Sequence, residues 1–149
     1  MYGISQNPTT KNCIVVFENN CYLRNYCANC GKKYTNTQFR WCKPCQINYL
    51  KENFTSRDEK IDNLIQEMQL KINDCKDIIF EWIPYNQFNE FKEIGKGGFF
   101  GTVYLAKWKD GPLRWSFKKY EYIRNSTDKI VDLVYLNNLD ITNESLNEV

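Results

Sequence analysis

The chain has 149 residues, of which 42% are hydrophobic and 15% aromatic, enough to bury the core of one ordinary domain or of two small ones. Its 20 Lys and Arg residues barely outnumber its 18 Asp and Glu residues, so net charge does not indicate nucleic acid or an anionic membrane as the main partner. Histidine is absent, which excludes Ser-His-Asp and Cys-His catalysis and every metal site with a histidine ligand.

Targeting signals are not found in the sequence. The opening MYGISQNPTTKN has neither a basic start followed by an apolar stretch nor a small-residue cleavage site, and nowhere does a run of about eighteen apolar residues occur. The sequence therefore predicts a soluble, intracellular, cytoplasmic protein without a membrane partner. Four basic residues near the cysteines are too few to predict nucleic-acid binding: Lys32, Lys33, Arg40 and Lys43.

The first predicted elements are a strand and a helix. The apolar stretch from Cys13 to Phe17 predicts a short strand. From Glu59 to Ile79, apolar residues recur at the three-and-four spacing of one amphipathic helix. They are Ile61, Leu64, Ile65, Met68, Ile72, Cys75 and Ile79. Pro84 excludes a continuation, since proline lacks the amide hydrogen and clashes with the preceding turn.

Short extended runs follow. They cover residues 90–95, 102–108 and 130–136, with a turn signal at 109–112, and predict antiparallel strands. Asp140 and Thr142 offer capping groups for a helix that begins near residue 143. The predicted fold class is α+β, in three segments: a small four-cysteine, zinc-ribbon-like module in 1–58, an amphipathic helix and linker in 59–87, and the strands with the start of a helix in 88–149.

Two cysteine pairs carry the strongest local signal. Cys27 and Cys30 stand two residues apart, as do Cys42 and Cys45, so each tight turn can direct two sulfurs at one ion. Gly31 suits a turn residue with positive φ, and Pro44 restricts the second turn. Four thiolates favour a closed, structural zinc site, and both pairs are typical of zinc-ribbon knuckles.

Two disulfides or unrelated buried thiols are the alternatives, and the lack of a secretion signal favours zinc. The metal is expected to supply about 10 kcal/mol or more of folding free energy. Chelation is then expected to unfold residues 27–46 and to affect the helix and strands less. Cys13 and Cys21 lie outside the paired spacing and are interpreted as ordinary thiols, with Cys21 as an alternative ligand, whereas Cys75 is predicted to be a core residue.

Between the first two predicted strands of the last segment lies IGKGGFFGTVYLAKW, residues 94–108. It resembles the glycine-rich loop of protein kinases, Gly-x-Gly-x-x-Gly-x-Val with an aromatic tip, an aromatic residue after the valine and then alanine on the second strand. A plain hairpin with a glycine-rich turn is the alternative. The whole sequence, through IPYNQFNEFKEIGKGGF to ITNESLNEV, resembles an expanded group of tyrosine-kinase-like proteins that carry a zinc-ribbon-like segment ahead of the kinase domain.

The resemblance implies that residues 88–149 begin a kinase amino-terminal lobe, and that a full-length relative binds ATP and magnesium and phosphorylates Ser, Thr or Tyr. Glycines would let the hairpin backbone approach the phosphates, and Glu148 would be the helix C glutamate. The residues implied on the nucleotide side are Ile94, Gly95, Gly97, Gly98, Gly101, Val103 and Ala106.

The chain departs from the kinase pattern in three ways. Gly98 and Gly101 enclose two phenylalanines where one residue is expected, an insertion that a bulge would have to absorb. The phosphate-contacting lysine is ambiguous: counting from Ala106 gives Lys118, whereas counting back from Glu148 gives Val134, the preferred alignment, which also puts Asp132 in an adenine-covering position. The sequence stops before any catalytic loop or Asp-Phe-Gly motif.

Two hypotheses follow. The first is a protein-kinase-like protein, truncated and unable by itself to transfer phosphate, in the manner of a pseudokinase. The second is a zinc-ribbon and helix module that binds a partner protein and keeps a degenerate kinase remnant.

Overall fold

Short helices and short antiparallel strands make up this α+β chain. Its computed structural model describes residues 1–96, 101–136, 142 and 146. The strands are β1 (Gly3–Gln6), β2 (Cys13–Val16), β3 (Phe88–Lys96), β4 (Thr102–Trp108), β5 (Leu113–Ser116), β6 (Glu121–Arg124) and β7 (Lys129–Val134). The helices are α1 (Cys21–Asn25), α2 (Lys43–Asn53) and α3 (Glu59–Leu70), with a 3₁₀ turn at Tyr85–Gln87. In the described ranges, no helix combines the length and the apolar character needed to cross a bilayer.

Helix α3 starts where the sequence predicts and ends earlier. The Asp58 carboxylate caps it by accepting the backbone amides of Lys60 at 2.9 Å and Ile61 at 3.2 Å. The predicted extension to Ile79 is wrong, because the helix ends at Leu70.

Side-chain hydrogen bonds to the backbone account for this early end. Asp77 accepts the amides of Asn73 and Asp74 at 2.8 and 3.0 Å, and Asp74 accepts the amide of Lys76 at 3.0 Å. Short acidic side chains that bind nearby amides compete with helical hydrogen bonds. The apolar periodicity nevertheless continues, because the irregular segment turns Ile72, Cys75 and Ile79 into the same core.

A three-stranded antiparallel sheet has the order β3-β4-β7. Its middle strand coincides with the predicted run at 102–108, and the two outer strands lie within two residues of the predicted bounds. Pairing of β4 with β7 is continuous from Val103 opposite Val134 to Trp108 opposite Lys129. The strand pattern of the last segment is thus confirmed for these three strands.

The pairing of β3 with β4 is irregular at two places. Glu93 pairs with Tyr104 and Gly95 with Val103, so Ile94 is an extra residue on β3. A second shift lies between Asn89 and Lys92. The loop tip between Gly98 and Gly101, where the sequence predicts a bulge, lies outside the described residues, and the bulge at Ile94 is a separate irregularity of β3.

The β5–β6 hairpin is an element that we did not predict. It occupies much of the connection between β4 and β7, with Trp115 paired to Tyr122 across the two strands. Both side chains are buried, and their rings meet edge to face with centroids 5.1 Å apart. The connection between two strands of the larger sheet is therefore an element with its own contribution to the core.

The main hydrophobic core joins distant parts of the chain. It takes side chains from each of the three predicted segments, whose boundaries stay a prediction. Its buried members are Trp41, Leu50, Ile72, Cys75, Ile79, Leu113, Trp115 and Tyr122. The four-cysteine region, the segment after α3 and the β5–β6 hairpin thus share one apolar interior.

An ion pair with a buried carboxylate joins the segment after α3 to β6. The Glu81 side chain is only 1% exposed and forms a two-point pair with the guanidinium of Arg124. Arg124 also donates to the carbonyl of Gly111 and lies 5.8 Å from the ring centre of Trp108. This contact connects the core to β4, the middle strand of the larger sheet.

Candidate metal centre

The first cysteine pair sits in a tight turn of the backbone. Tyr26 and Lys33 form an antiparallel bridge, and the Cys27 amide donates to the carbonyl of Lys32 at 2.7 Å. Gly31 donates its amide to the Cys27 carbonyl at 2.8 Å and has φ +72°, a conformation that glycine adopts without strain. The turn predicted at this pair is confirmed.

The second pair lies at the start of a helix instead of in a second knuckle. Cys42 is the residue before α2, and Cys45 belongs to its first turn. Pro44 fits there because its fixed φ suits the first helical positions, where no amide hydrogen is needed. The Cys42 carbonyl accepts the amide of Gln46 at 3.0 Å, which closes the first turn. The positive end of the helix dipole therefore lies beside these two sulfurs.

All four predicted ligands come together. Their Sγ atoms lie within 4.8 Å of one another, with Cys27 to Cys45 at 3.7 Å and Cys30 to Cys42 at 3.6 Å. A tetrahedral zinc–thiolate site with bonds of about 2.3 Å has sulfur–sulfur edges of about 3.8 Å. A disulfide would need about 2.05 Å, and all four cysteines are free. The cluster could hold a metal ion such as zinc.

Surroundings of the four sulfurs differ. A hydrogen bond from the Lys32 backbone lowers the pKa of Cys30 to about 7. Burial raises the pKa of Cys42 and of Cys45, because desolvation penalises the thiolate. A bound metal dication offsets that penalty, since it stabilises the deprotonated form that ligation requires.

The loop between the two cysteine pairs is hydrogen-bonded to the β5–β6 hairpin. Trp41, next to Cys42, is fully buried and donates its indole N–H to the Tyr122 hydroxyl at 3.0 Å. In return, Trp115 donates its indole N–H to the carbonyl of Phe39 at 3.1 Å. The two hydrogen bonds join the loop beside the four-cysteine cluster to both strands of the hairpin, a link that local sequence patterns did not reveal.

Hydrogen bonds from Lys43 also connect helix α2 to the end of α3. The ammonium of Lys43 donates to the Leu70 carbonyl at 3.0 Å and to the Asn73 side chain at 2.8 Å. A cation at the last turn of a helix stabilises the free carbonyl groups there. Lys43, the residue that follows Cys42, therefore caps the neighbouring helix.

The other three cysteines stand apart from the cluster. Among the described residues, only Cys27, Cys30, Cys42 and Cys45 form a group with metal-ligand spacing, so Cys21 does not join them. Cys13 is exposed, and Cys75 lies in the core as predicted, although outside a helix.

The glycine-rich segment connects β3 to β4. Gly97, Gly98 and Glu148 lie outside the described residues. Gly95 pairs with Val103, one position before the end of β3, and Gly101 has φ +98°.

Three of the apolar residues implied on the nucleotide side lie on the strands that flank this segment. Ile94 occupies the bulge and is 50% exposed. Val103 and Ala106 are an odd number of positions apart on a regular strand, so they face opposite sides of the sheet, and Ala106 is buried with Trp108. The sheet does not turn the implied nucleotide-side residues to a single face.

The two candidates for the phosphate-contacting position lie far apart in the topology. Val134 is on β7, directly opposite Val103. Lys118 lies in the exposed turn between β5 and β6, a separate sheet. Asp132, opposite Leu105, is exposed, so its charge is not desolvated.

Comparison of the chain with protein-family models, with curated proteins and with solved structures gave no match.

Proposed function

We propose that this chain is a protein-kinase-like protein in which a glycine-rich, ATP-binding hairpin is built onto a structural zinc module. One observation carries the kinase part: the glycine-rich segment joins two antiparallel strands, and β7 pairs with the far edge of the second strand. This arrangement supports the resemblance, in which such a hairpin opens the amino-terminal lobe. The zinc part is supported by the sulfur cluster and its tetrahedral spacing.

The proposal for these 149 residues is nucleotide binding, not phosphoryl transfer. Magnesium in kinases is held by an Asp-Phe-Gly aspartate and a catalytic-loop asparagine, and neither motif occurs in the sequence. At the preferred aligned position stands Val134, which offers no charge to the phosphates. Binding would then depend on backbone amides of the glycine-rich segment.

Displacement of a fluorescent ATP analogue in the presence of magnesium tests the nucleotide proposal. We expect a dissociation constant no higher than about 1 mM. Gly95→Ala should weaken binding while leaving the fold intact, because a Cβ there meets no atom within 4 Å. Gly3→Ala, equally unobstructed, is the matched control.

No displacement at millimolar concentrations contradicts nucleotide binding by these residues. A phosphotransfer assay on a generic protein substrate should show no turnover. Turnover that disappears in Lys118→Ala would instead favour the alignment through Lys118.

Metal analysis tests the zinc part separately. Protein purified under reducing conditions should hold one equivalent of zinc, and a chelator should remove it. Less than one equivalent, in protein that is folded by circular dichroism, contradicts the zinc proposal.

A second candidate function is a protein-interaction module. It is favoured by large apolar side chains that the zinc-organised core leaves in water, among them Leu70 at 61% and Ile78 at 91% exposure. Undetectable nucleotide binding, together with a stable partner captured through residues 27–80, would favour this function over the first.

A further inference from the structure

We propose that the groove between residues 75–78 and the β5–β6 hairpin binds an acidic, aliphatic peptide segment of another protein. The groove has a volume of about 510 Å³ and is separate from the cysteine cluster and from the glycine-rich segment. The inference extends the interaction-module function by naming a surface and the chemistry of its partner, and it does not depend on nucleotide binding.

Charge is the first argument. Four basic side chains line the groove: Lys76, Arg114, Lys118 and Lys129. Within the described ranges the ion pairs are Lys107 with Glu90 and Arg124 with Glu81, so none of the four forms an ion pair there, although Lys76 lies near the Asp74 carboxylate and over the Phe39 ring. Such a concentration of one sign attracts an opposite charge and favours an acidic ligand.

The single acidic side chain in the groove, Asp77, offsets only one of the four positive charges. Asp77 directs one carboxylate oxygen to the backbone amides of Asn73 and Asp74, at 2.8 and 3.0 Å. Its role is to shape the segment after α3. Carboxylates of a bound peptide would therefore meet the exposed side chains of Arg114, Lys118 and Lys129.

Apolar surface is the second argument. Ile78 lines the groove and is 91% exposed, and Phe117 on the opposite side is 49% exposed. Leu113 and Trp115, which also line the groove, are buried. A peptide that alternates carboxylates with large aliphatic side chains would cover Ile78 and pair with the cations at the same time.

A peptide fits these observations better than nucleic acid. Phosphates would satisfy the cations, but bases stack on open aromatic faces, and the most exposed apolar side chain here is aliphatic. Contact with an aliphatic side chain is favourable because it removes the exposed Ile78 side chain from water.

The groove also gives Lys118 a role other than contact with nucleotide phosphates. The turn between β5 and β6 brings Lys118 to the same groove as Lys129, the first residue of β7. Its neighbour Lys119 is exposed in the same turn and does not line the groove. The chain thus offers a matched pair of lysines for a test.

Fluorescence anisotropy with a short labelled peptide that alternates Glu or Asp with Leu or Ile tests the proposal on the full zinc-loaded chain. We expect Lys118→Glu to weaken binding about five- to tenfold and Lys119→Glu to change it less than about twofold. Ile78→Ser should weaken binding about tenfold, whereas Ile4→Ser, at a side chain 76% exposed in the first hairpin, should not.

Several results would overturn the inference. One is an equal loss of peptide affinity in Lys118→Glu and Lys119→Glu, which would indicate non-specific electrostatic attraction of the peptide. Another is undiminished binding of a peptide with Gln and Asn in place of its acids. A third is binding of a single-stranded oligonucleotide in preference to the peptide. Circular dichroism of each variant, Ile78→Ser included, verifies that it remains folded. A partner that still binds residues 27–80 of the Lys118→Glu variant would support the interaction-module function and contradict the role of this groove.

Discussion

The core beside the four cysteines and the three-stranded sheet are held together by different means. In the core, indoles, aliphatic side chains and a buried ion pair from distant segments close on one another beside the cysteine cluster. In the sheet, β3 and β7 contain no buried residue, and β4 buries only Ala106 and Trp108. From this difference we infer that the core beside the four-cysteine cluster contributes more to stability than the three-stranded sheet, which buries few side chains.

Loss of one of the four clustered cysteines should lower the stability of the chain more than any other change considered. Cys30→Ser is expected to abolish stoichiometric zinc binding and cooperative unfolding of the core, since structural zinc contributes on the order of 10 kcal/mol. Cys13→Ser is the matched control, because both thiols are exposed and only Cys30 belongs to the cluster. Zinc content and thermal unfolding by circular dichroism measure the outcome. Equal behaviour of the two variants would mean that the cluster does not hold the core.

Breaking the buried ion pair should rank second. Arg124→Met leaves the Glu81 carboxylate, 1% exposed, without its partner and should destabilise the chain by about 3–5 kcal/mol. Glu90→Gln removes the exposed ion pair with Lys107, whose side chains are 38% and 64% exposed, and should cost less than about 1 kcal/mol. Urea unfolding compares the two. Similar losses would contradict the contrast between a core ion pair and a sheet ion pair.

The smallest of the three effects concerns Tyr122 in alkali. Burial raises the pKa of Tyr122 to about 12, although the hydrogen bond from Trp41 opposes the shift. Because the folded pKa of Tyr122 exceeds the unfolded value, the neutral phenol adds roughly 2–3 kcal/mol to the free energy of unfolding. This contribution is complete below pH about 10 and is lost as the pH rises toward 12. Urea unfolding of the wild type between about pH 9 and about pH 12 should show this decline.

The Tyr122→Phe variant provides the control. It should show a weaker decline over the same pH range, and at neutral pH it should be about 1–3 kcal/mol less stable, because the Trp41 indole N–H loses its partner. An identical alkaline slope in both proteins would show that Tyr122 does not report on the core.

Local signals were predictable from sequence and non-local ones were not. The four-cysteine cluster follows from two short spacings, one of which lies in a tight turn at Cys27–Cys30 and the other in the first turn of α2. The glycine turn after Cys30 and the strand at 102–108 are local in the same sense. The predicted end of helix α3 at Ile79 was wrong, because the apolar periodicity continues past Leu70 while Asp74 and Asp77 bind backbone amides outside the helix.

The β5–β6 hairpin shows the limit most clearly. Its strands have four residues each and no regular alternation long enough to recognise. They are stabilised by partners about eighty positions away in sequence, Trp41 to Tyr122 and Phe39 to Trp115. Such contacts depend on the packing of the whole chain, and for the same reason the groove beside the hairpin could not be predicted.

Hydrogen exchange with and without zinc tests the central claim, that the cysteine cluster stabilises the shared core more than the sheet. On chelation, amides of residues 27–54, 71–82 and 113–124 should lose protection together, while the ladder between β4 and β7 loses less. This expectation replaces the narrower one of unfolding confined to residues 27–46. Loss of protection restricted to residues 27–46, or equal loss throughout the described strands, would contradict the claim.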